Sequence, residues 1–325
     1  MMCPSMDDGS PRDPVGVIAE DFAGMKSQAF GLAQRAGLHP VLCPVTVRAG
    51  WRRLPASWWP MPLRAIRPLD IPSGCMEPSG LMISIGGTGG AIGAALRARG
   101  GRVVQIQNPR MPLRRFDLVI ANRHDEISGP NVLLSRTALH GVSPARLAEA
   151  RRIWMPRLAH LPRPLVSVLV GGGNGRFRLG ADEAHAIAAQ LGRMMDRDGV
   201  GVAVTPSRRT GVQAREILSR ALSPKEAWVW DMTGENPYLG LVACADAIVV
   251  TADSISMVSE AVATDVPVMV IPLPGRSRRI GLFLNDLSHA GRIRMFDGRM
   301  QDWSVRPLDD TQLMADEMRH RLQLK

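Results

Sequence analysis

Two segments in the second half of the chain carry residue types suited to holding a bulky anion. The apolar run Val166-Ser167-Val168-Leu169-Val170 empties into Gly171, Gly172, Gly173, Asn174 and Gly175. Further on, Ile248-Val249-Val250-Thr251 is followed by Ala252-Asp253-Ser254-Ile255-Ser256-Met257-Val258-Ser259-Glu260. A strand ending in glycines lets backbone amides approach phosphate closely, and a strand followed by Asp and Ser opens a helix whose first N–H groups point the same way. Together they suggest a nucleotide or sugar-nucleotide pocket. Ser254, Ser256 and Met257 would supply the helix start, with Ser259 and Glu260 one turn in, Glu260 accepting from a ribose or sugar hydroxyl. Simple N-capping by Asp253 or Ser254 is the plainer alternative.

Ser207, Arg208, Arg209 and Thr210 follow another apolar run and place two guanidinium groups and two hydroxyls where phosphates could sit. Solvated surface charge is their bland reading. In the first half, Lys26, Ser27 and Gln28 open a helix just after Gly24, a place from which they could contact a second substrate. The run Gly87-Thr88-Gly89-Gly90-Ala91-Ile92-Gly93 reads GxGxxxG, but the acid expected about 20 positions on to hold a ribose is missing. Gln105-Ile106-Gln107-Asn108 stands there instead. A nicotinamide or flavin enzyme is disfavoured, no cofactor is expected, and Gly93 is read as a close helix-to-strand contact. His124 and Asp125, after the apolar Leu118 to Ala121, could act as a general base; a solvated polar loop is the alternative. Adjacent loop residues rarely converge on a metal, so none is expected.

The elements that must position these groups are legible as alternation. Short β-rich runs alternate with helical patterns throughout, predicting parallel sheets covered by helices on both faces. With 325 residues, 45% of them hydrophobic, two domains are the default. Strands are expected over 15–19, 40–45, 81–85, 102–107, 117–121 and 132–135, then over 165–170, 200–205, 227–231, 247–251 and 266–271. The prolines within 158–164 mark the expected hinge. This gives a disordered lead-in over 1–13, an N-terminal domain over 14–160, a C-terminal domain over 161–308, and a closing helix over 309–325 that packs back on the first half.

The formal charge is +10, and only three of the 40 basic residues are lysines. Arginine grips phosphate with a planar fork, although a GC-rich genome gives the same bias. Four cysteines without a CxxC point to a reducing compartment. No run reaches the roughly 18 apolar residues of a spanning helix, so a cytoplasmic protein is expected, at most peripheral to the inner face of the membrane. Between Arg48 and Arg67, three tryptophans are interleaved with arginines and no acid. A packed excursion over the sheet is the first reading, an anionic membrane interface the second, and single-stranded nucleic acid a third.

Taken in order, Gly24-Met25-Lys26-Ser27-Gln28, Gln105-Ile106-Gln107-Asn108-Pro109-Arg110, His124-Asp125 with Gly129-Pro130-Asn131, Gly171-Gly172 with Asn174-Gly175, Ser207-Arg208-Arg209-Thr210, Asn236-Pro237-Tyr238 and Asp253 to Ala261 resemble the mitochondrial-fission ELM (elongated mitochondria) family. The resemblance implies a GT-B-like α/β fold, two Rossmann-type parallel-sheet domains facing each other across a cleft. It also implies a nucleotide-sugar donor on the second domain (Gly171 to Gly175, Ser207 to Thr210, Ser254 to Glu260) and an acceptor on the first (Lys26 to Gln28, Gly87, Thr88). The chain departs from the family pattern at Asn122-Arg123, where a Pro-Glu pair is expected. Three functions follow as expectations. One is a metal-independent glycosyltransferase using a nucleotide sugar as substrate and an envelope or lipid-linked saccharide as acceptor. The others are a nucleoside-diphosphate-sugar 2-epimerase and a non-catalytic adaptor, with no specific nucleic-acid partner.

Overall fold

The computed structural model describes residues 14–77 and 80–324, and the lead-in expected over 1–13 lies outside the described residues. In chain order the first half contains β1 (Pro14–Ala19), α1 (Ala23–Arg35), β2 (His39–Pro44), β3 (Leu81–Ile85), α2 (Gly86–Arg97), β4 (Val103–Ile106), β5 (Leu118–Asn122), β6 (Val132–Ser135) and α3 (Pro144–Trp154). The second contains β7 (Leu165–Val170), α4 (Ala181–Asp198), β8 (Gly201–Pro206), α5 (Val212–Leu222), β9 (Trp228–Val229), α6 (Tyr238–Cys244) and β10 (Ala247–Thr251). It continues with α7 (Ile255–Val262), β11 (Val268–Ile271), α8 (Arg278–His289), β12 (Ile293–Met295) and α9 (Asp310–Leu322). The last strand and α8 are elements the sequence pattern did not single out.

Two compact units result. Described residues within Met1–Ala121, Asp125–Ser135 and Thr311–Lys325 form the first, and Asn122–His124 with Arg136–Asp310 form the second. The first sheet has the order β2-β1-β3-β4-β5-β6, and the second β12-β11-β10-β7-β8-β9. Every pairing in the second sheet is parallel, for example Leu169 opposite both Val250 and Thr205. Its central strands β7, β8, β10 and β11 are buried along their whole length and mostly apolar, because both faces are covered. Val166, Val168 and Val170 alternate onto the face packed by α4 and α5, while Leu169, Ile248, Val250 and Val268 meet α7 and α8 on the other.

Local signals place the helices. In α4, Ala184, Ile187, Ala188, Leu191 and Met194 are buried at helical spacing. Its start is held by the Glu183 carboxylate accepting from the Gly180 N–H at 2.7 Å, and its end by Gly199 at φ 65°. Helix α9 buries Met314, Ala315, Met318 and Leu322. Its Arg319 guanidinium donates to the Ala36 carbonyl at the end of α1 at 2.6 Å.

The expected hinge is displaced. Residues 136–160, assigned by sequence to the N-terminal domain, belong to the second unit. Trp154, Leu158 and Leu161 are buried in one cluster with Leu241 and Cys244 of α6, so the proline-bearing segment is anchored in the second unit's core through its leucines. Proline spacing marks a break in secondary structure, whereas apolar burial decides which core a helix joins.

The α3 to α6 contact is close enough to test. A Cβ on Gly240 would lie 2.2 Å from Trp154 Cγ. Gly to Ala in a helix ordinarily gains ~1 kcal/mol, but overpacking a filled core costs about 1–3 kcal/mol, and at this distance the clash wins. Gly240→Ala is therefore expected to lower the midpoint of urea unfolding, and a raised midpoint would contradict the packing.

Candidate functional site

In the second sheet, β7 to β9 proceed one way from the centre and β10 to β12 the other. The switch falls between β7 and β10, and the crevice outside the carboxyl ends of such strands is where open α/β sheets bind ligands. The loops after β7, β10 and β8 leave three adjacent strands at this edge.

They are cross-linked through one carboxylate. Asp253 is buried, and its Oδ2 accepts from the Gly172 N–H at 3.1 Å and pairs with Arg209 Nη1 at 2.7 Å. Its Oδ1 accepts from the Thr251 hydroxyl at 2.7 Å, while Thr251 Oγ1 itself accepts from the Gly171 N–H at 2.7 Å. Arg209 Nη1 also donates to the Gly172 carbonyl at 3.1 Å, and Asn174 Nδ2 donates to the Asp253 carbonyl at 3.0 Å. A buried charge must be paired and hydrogen-bonded to be tolerated, and here the pairing joins all three loops.

The remaining donors and acceptors fix each turn. Ser207 Oγ donates to the Gly171 carbonyl at 3.0 Å and accepts from the Arg209 N–H at 3.2 Å. Thr210 Oγ1 accepts from the Ser207 N–H at 2.9 Å and donates to the Gly171 carbonyl. Asn174 Oδ1 accepts from the N–H groups of Arg176 and Phe177, an Asx-type turn that leaves Gly175 at φ 76°. From the β11 side, Arg178 N–H donates to the Pro274 carbonyl at 2.8 Å, and Phe177 bridges Gly275.

This geometry corrects several expectations. A Cβ on Gly171 would sit 2.2 Å from Asp253 Oδ1, and one on Gly172 would sit 2.1 Å from the Arg209 carbonyl. These two glycines admit the protein's own groups, whereas Gly173 and Gly175 are exposed, a Cβ on Gly173 meeting only the Phe177 carbonyl at 3.7 Å and one on Gly175 nothing within 4 Å. Ser254, not Asp253, caps α7, accepting from the Met257 N–H at 3.4 Å. Ser259 is buried and accepts from the Ala138 N–H at 2.9 Å, and Thr210 is buried in its own turn, so neither is placed to meet a ligand. Arg209 is committed to Asp253. Arg208 is exposed and makes no hydrogen bond or ion pair among the described residues. Ser256, Met257 and Glu260 are half-buried, and Glu260 Oε2 accepts from the Tyr238 hydroxyl.

The sequence reading passed over the turn after β11. Arg276 and Arg278 are exposed there, and Ser277 caps α8, its Oγ also accepting from Arg176 Nη1 at 3.3 Å. The run Gly275-Arg276-Ser277-Arg278-Arg279 after a buried strand was the available signal.

In the first unit, the switch falls between β1 and β3. Lys26, Ser27 and Gln28 lie in the first turns of α1, with Gln28 accepting from Gln107 Nε2 at 3.2 Å. Gly87 and Thr88 belong to the first turn of α2 and not to a phosphate loop, because the glycine run is helical. Its purpose is contact: a Cβ on Gly89 would lie 2.8 Å from the Ile18 carbonyl and one on Gly93 2.6 Å from Ser84 Oγ. Gly87 faces open space.

His124 is buried and packs edge-on against Phe283 of α8, with ring centroids 5.6 Å apart. That position is a packing one, which removes it as a solvent-facing base; Asp125 is half-buried. Among the described residues no group of three or more His, Cys, Asp or Glu is placed to hold a metal ion. Cys43, beside Cys75, is pushed up to about 11 by burial first and then by its neighbours. A separate cavity of about 300 Å³ opens between α5 and β9, lined by Val212, Arg215, Arg220, Val229 and Trp230, and includes none of the residues above.

Residues 23–322 match the family described as Mitochondrial fission ELM1. The mitochondrial fission protein ELM1 of Arabidopsis thaliana is 35% identical over 248 residues, covering 68% of this chain and 58% of that protein. The chain thus spans little more than half the length of that relative. Among solved structures, a UDP-GlcNAc 2-epimerase from Methanocaldococcus jannaschii is similar with a TM-score of 0.55 at 11% identity, over 95% of this chain and 99% of that chain. MnaA of S. aureus, solved with UDP, is similar with a TM-score of 0.53 at 9% identity, over 96% and 98%. At these identities the likeness is one of fold, a GT-B-like pair of Rossmann-type units.

Two measurements check this site. Asp253→Asn keeps the shape but replaces a buried acceptor-only carboxylate by an amide that cannot serve the Gly172 N–H, the Thr251 hydroxyl and Arg209 together, and a buried group left without its hydrogen bond costs about 1–3 kcal/mol; the urea midpoint should fall accordingly, and an unchanged midpoint would show the clasp to be incidental. Tyr238, the only tyrosine, is held well above its ordinary value of 10.0 by burial first and then by the Glu260 carboxylate. The folded state therefore keeps the proton that the unfolded chain releases near pH 10, so stability from this group is full below that pH and declines above it. Absorbance titration of the native protein should show the phenol still neutral where free tyrosine has ionised.

Proposed function

Because the chain belongs to the mitochondrial fission ELM1 family and its second unit carries a basic, glycine-bearing edge at a sheet switch point, we propose that this unit binds a nucleoside-diphosphate sugar and that the chain is a glycosyltransferase. The observation that carries this reading is the Asp253 clasp: it holds the loops after β7, β8 and β10 in register while Arg208 and the Gly173 and Gly175 turns remain uncommitted at their rim. The proposed contacts are the backbone of Gly173, Asn174 and Gly175, the first turn of α7 at Ser254, Ser256 and Met257, the Arg208 guanidinium, and Glu260 accepting from ribose hydroxyls. Gly171, Gly172, Ser207, Arg209 and Thr210 would act by positioning them.

In transfer, the anomeric carbon to diphosphate oxygen bond breaks, a bond to the acceptor oxygen forms, and the acceptor's proton goes to a base. Charge develops on the departing diphosphate, where preorganised amides and a guanidinium stabilise the transition state more than the ground state. Asp125 remains the proposed base, and Lys26, Ser27, Gln28, Gly87 and Thr88 the proposed acceptor contacts on the first unit. No cofactor or metal is invoked.

A second reading, nucleotide-sugar 2-epimerisation, is favoured by the two solved structures of similar fold, one named as a UDP-GlcNAc 2-epimerase and the other solved with UDP. They make UDP the first nucleotide to test.

In a thermal-shift panel of UDP, GDP, CMP, dTDP and NADPH, one diphosphate should raise the transition, by about 2.7 kcal/mol of stability at a hundredfold excess over Kd. Arg208→Ala should weaken that ligand roughly tenfold or more, as expected for a charge-assisted hydrogen bond. A shift by NADPH alone would discard the reading. Product formed from nucleotide sugar without acceptor would select the epimerase, and binding without turnover over a broad acceptor range would select the adaptor.

A further inference from the structure

The segment from Arg48 to Arg67 takes no part in the nucleotide site, and its side chains divide into two sets. Trp59 is buried, its indole N–H donating to the carbonyls of Trp51 at 3.1 Å and Leu54 at 3.3 Å. The Trp51 ring meets it edge-on with centroids 6.0 Å apart, and Ala65 and Ile66 join the same core. Backbone bonds from Arg48 N–H to the Ala65 carbonyl and from Arg67 N–H to the Thr46 carbonyl close the segment on itself. The inner half is therefore the packed excursion over the sheet.

The outer half is different. Within eight residues Leu54, Trp58 and Met61 are 49%, 72% and 47% exposed. Three short helical turns, Trp51–Arg53, Ala56–Trp58 and Pro62–Arg64, present these side chains on a fixed backbone. The guanidinium groups of Arg53, Arg64 and Arg67 are on exposed residues and make no hydrogen bond or ion pair among the described residues. No Asp or Glu occurs between Asp21 and Asp70. Arg52 pairs with Glu20 at 2.9 Å, which ties the segment beside the loop leaving β1.

We propose that this face docks on an anionic lipid surface, with Leu54, Trp58 and Met61 entering the interfacial layer and Arg53, Arg64 and Arg67 lying on headgroup phosphates. An indole settles at the headgroup boundary, and apolar insertion and basic charge are each weak anchors that become effective together. Single-stranded nucleic acid fits less well. It is gripped by successive exposed aromatic platforms, whereas only one of the three rings here faces out and its two companions are aliphatic. The surface is independent of the nucleotide reading.

The test is sedimentation of the full chain with vesicles of equal parts phosphatidylglycerol and phosphatidylcholine, against phosphatidylcholine alone. Binding is expected to the first and not the second, and to weaken as salt rises. Each of Arg53→Glu and Arg64→Glu should lower binding roughly fivefold or more, and Trp58→Ser should reduce it at low salt as well. All three positions are exposed, so an unchanged far-ultraviolet dichroism spectrum and thermal midpoint confirm that the fold persists. Equal binding to neutral vesicles, binding to neither, or full binding by a variant combining Arg53→Glu, Trp58→Ser and Arg64→Glu would overturn the proposal, as would capture of a single-stranded oligonucleotide that anionic vesicles fail to displace.

Discussion

One buried carboxylate sets the form of the candidate site. Asp253 sits at the end of β10 with its side chain closed off from solvent and its oxygens shared among Gly172, Thr251 and Arg209. Removing a carboxylate from water costs several kcal/mol unless charge and hydrogen bonds replace the lost hydration. Those replacements come from the loops after β7 and β8, so the desolvated charge is tolerated only while the three turns keep their relative places. The clasp confers geometry more than net stability, since a buried pair is weak evidence for stability.

The glycines follow from the same constraint. Gly171 and Gly172 occupy the two points where the clasp leaves no room for a Cβ, against Asp253 Oδ1 and the Arg209 carbonyl. In the first unit the glycines of α2 serve helix-on-sheet contact, at Ile18 and Ser84. A glycine-rich run after a strand thus has two physical meanings, close packing against protein or close approach of a ligand. Within the Gly171 to Gly175 loop the first two glycines serve packing against protein, while Gly173 and Gly175 are exposed.

Buried arginine gives a useful contrast. Arg292 is buried and, among the described residues, finds no carboxylate within hydrogen-bond reach; Nη2 donates to the Thr264 carbonyl at 2.6 Å, and both terminal nitrogens reach the Val266 carbonyl. Burial lowers its pKa to about 10, still protonated at neutral pH, and it ties down the turn between α7 and β11. Arg209 has a carboxylate partner and bridges loops, while Arg208 beside it has no partner among the described residues. Adjacent arginines therefore do different work, one internal and one outward.

The alternation of short apolar runs with helical patterns determined the α/β class and most elements, because fully covered parallel strands must be apolar throughout and their helices must carry an apolar stripe. Residue type alone also singled out the strand ends that the Asp253 clasp gathers. Which groups stay accessible was not legible: Ser259 and Thr210 carry the same hydroxyl as Ser254, yet packing turns them inward, and His124 lies against Phe283 instead of in solvent. The assignment of α3 to the second unit and the division of Trp51, Trp58 and Trp59 into inner and outer rings were likewise settled by burial. Local sequence encodes backbone preference and periodicity, whereas burial and long-range pairing such as Asp253 with Arg209 depend on which distant segments the sheet order brings side by side.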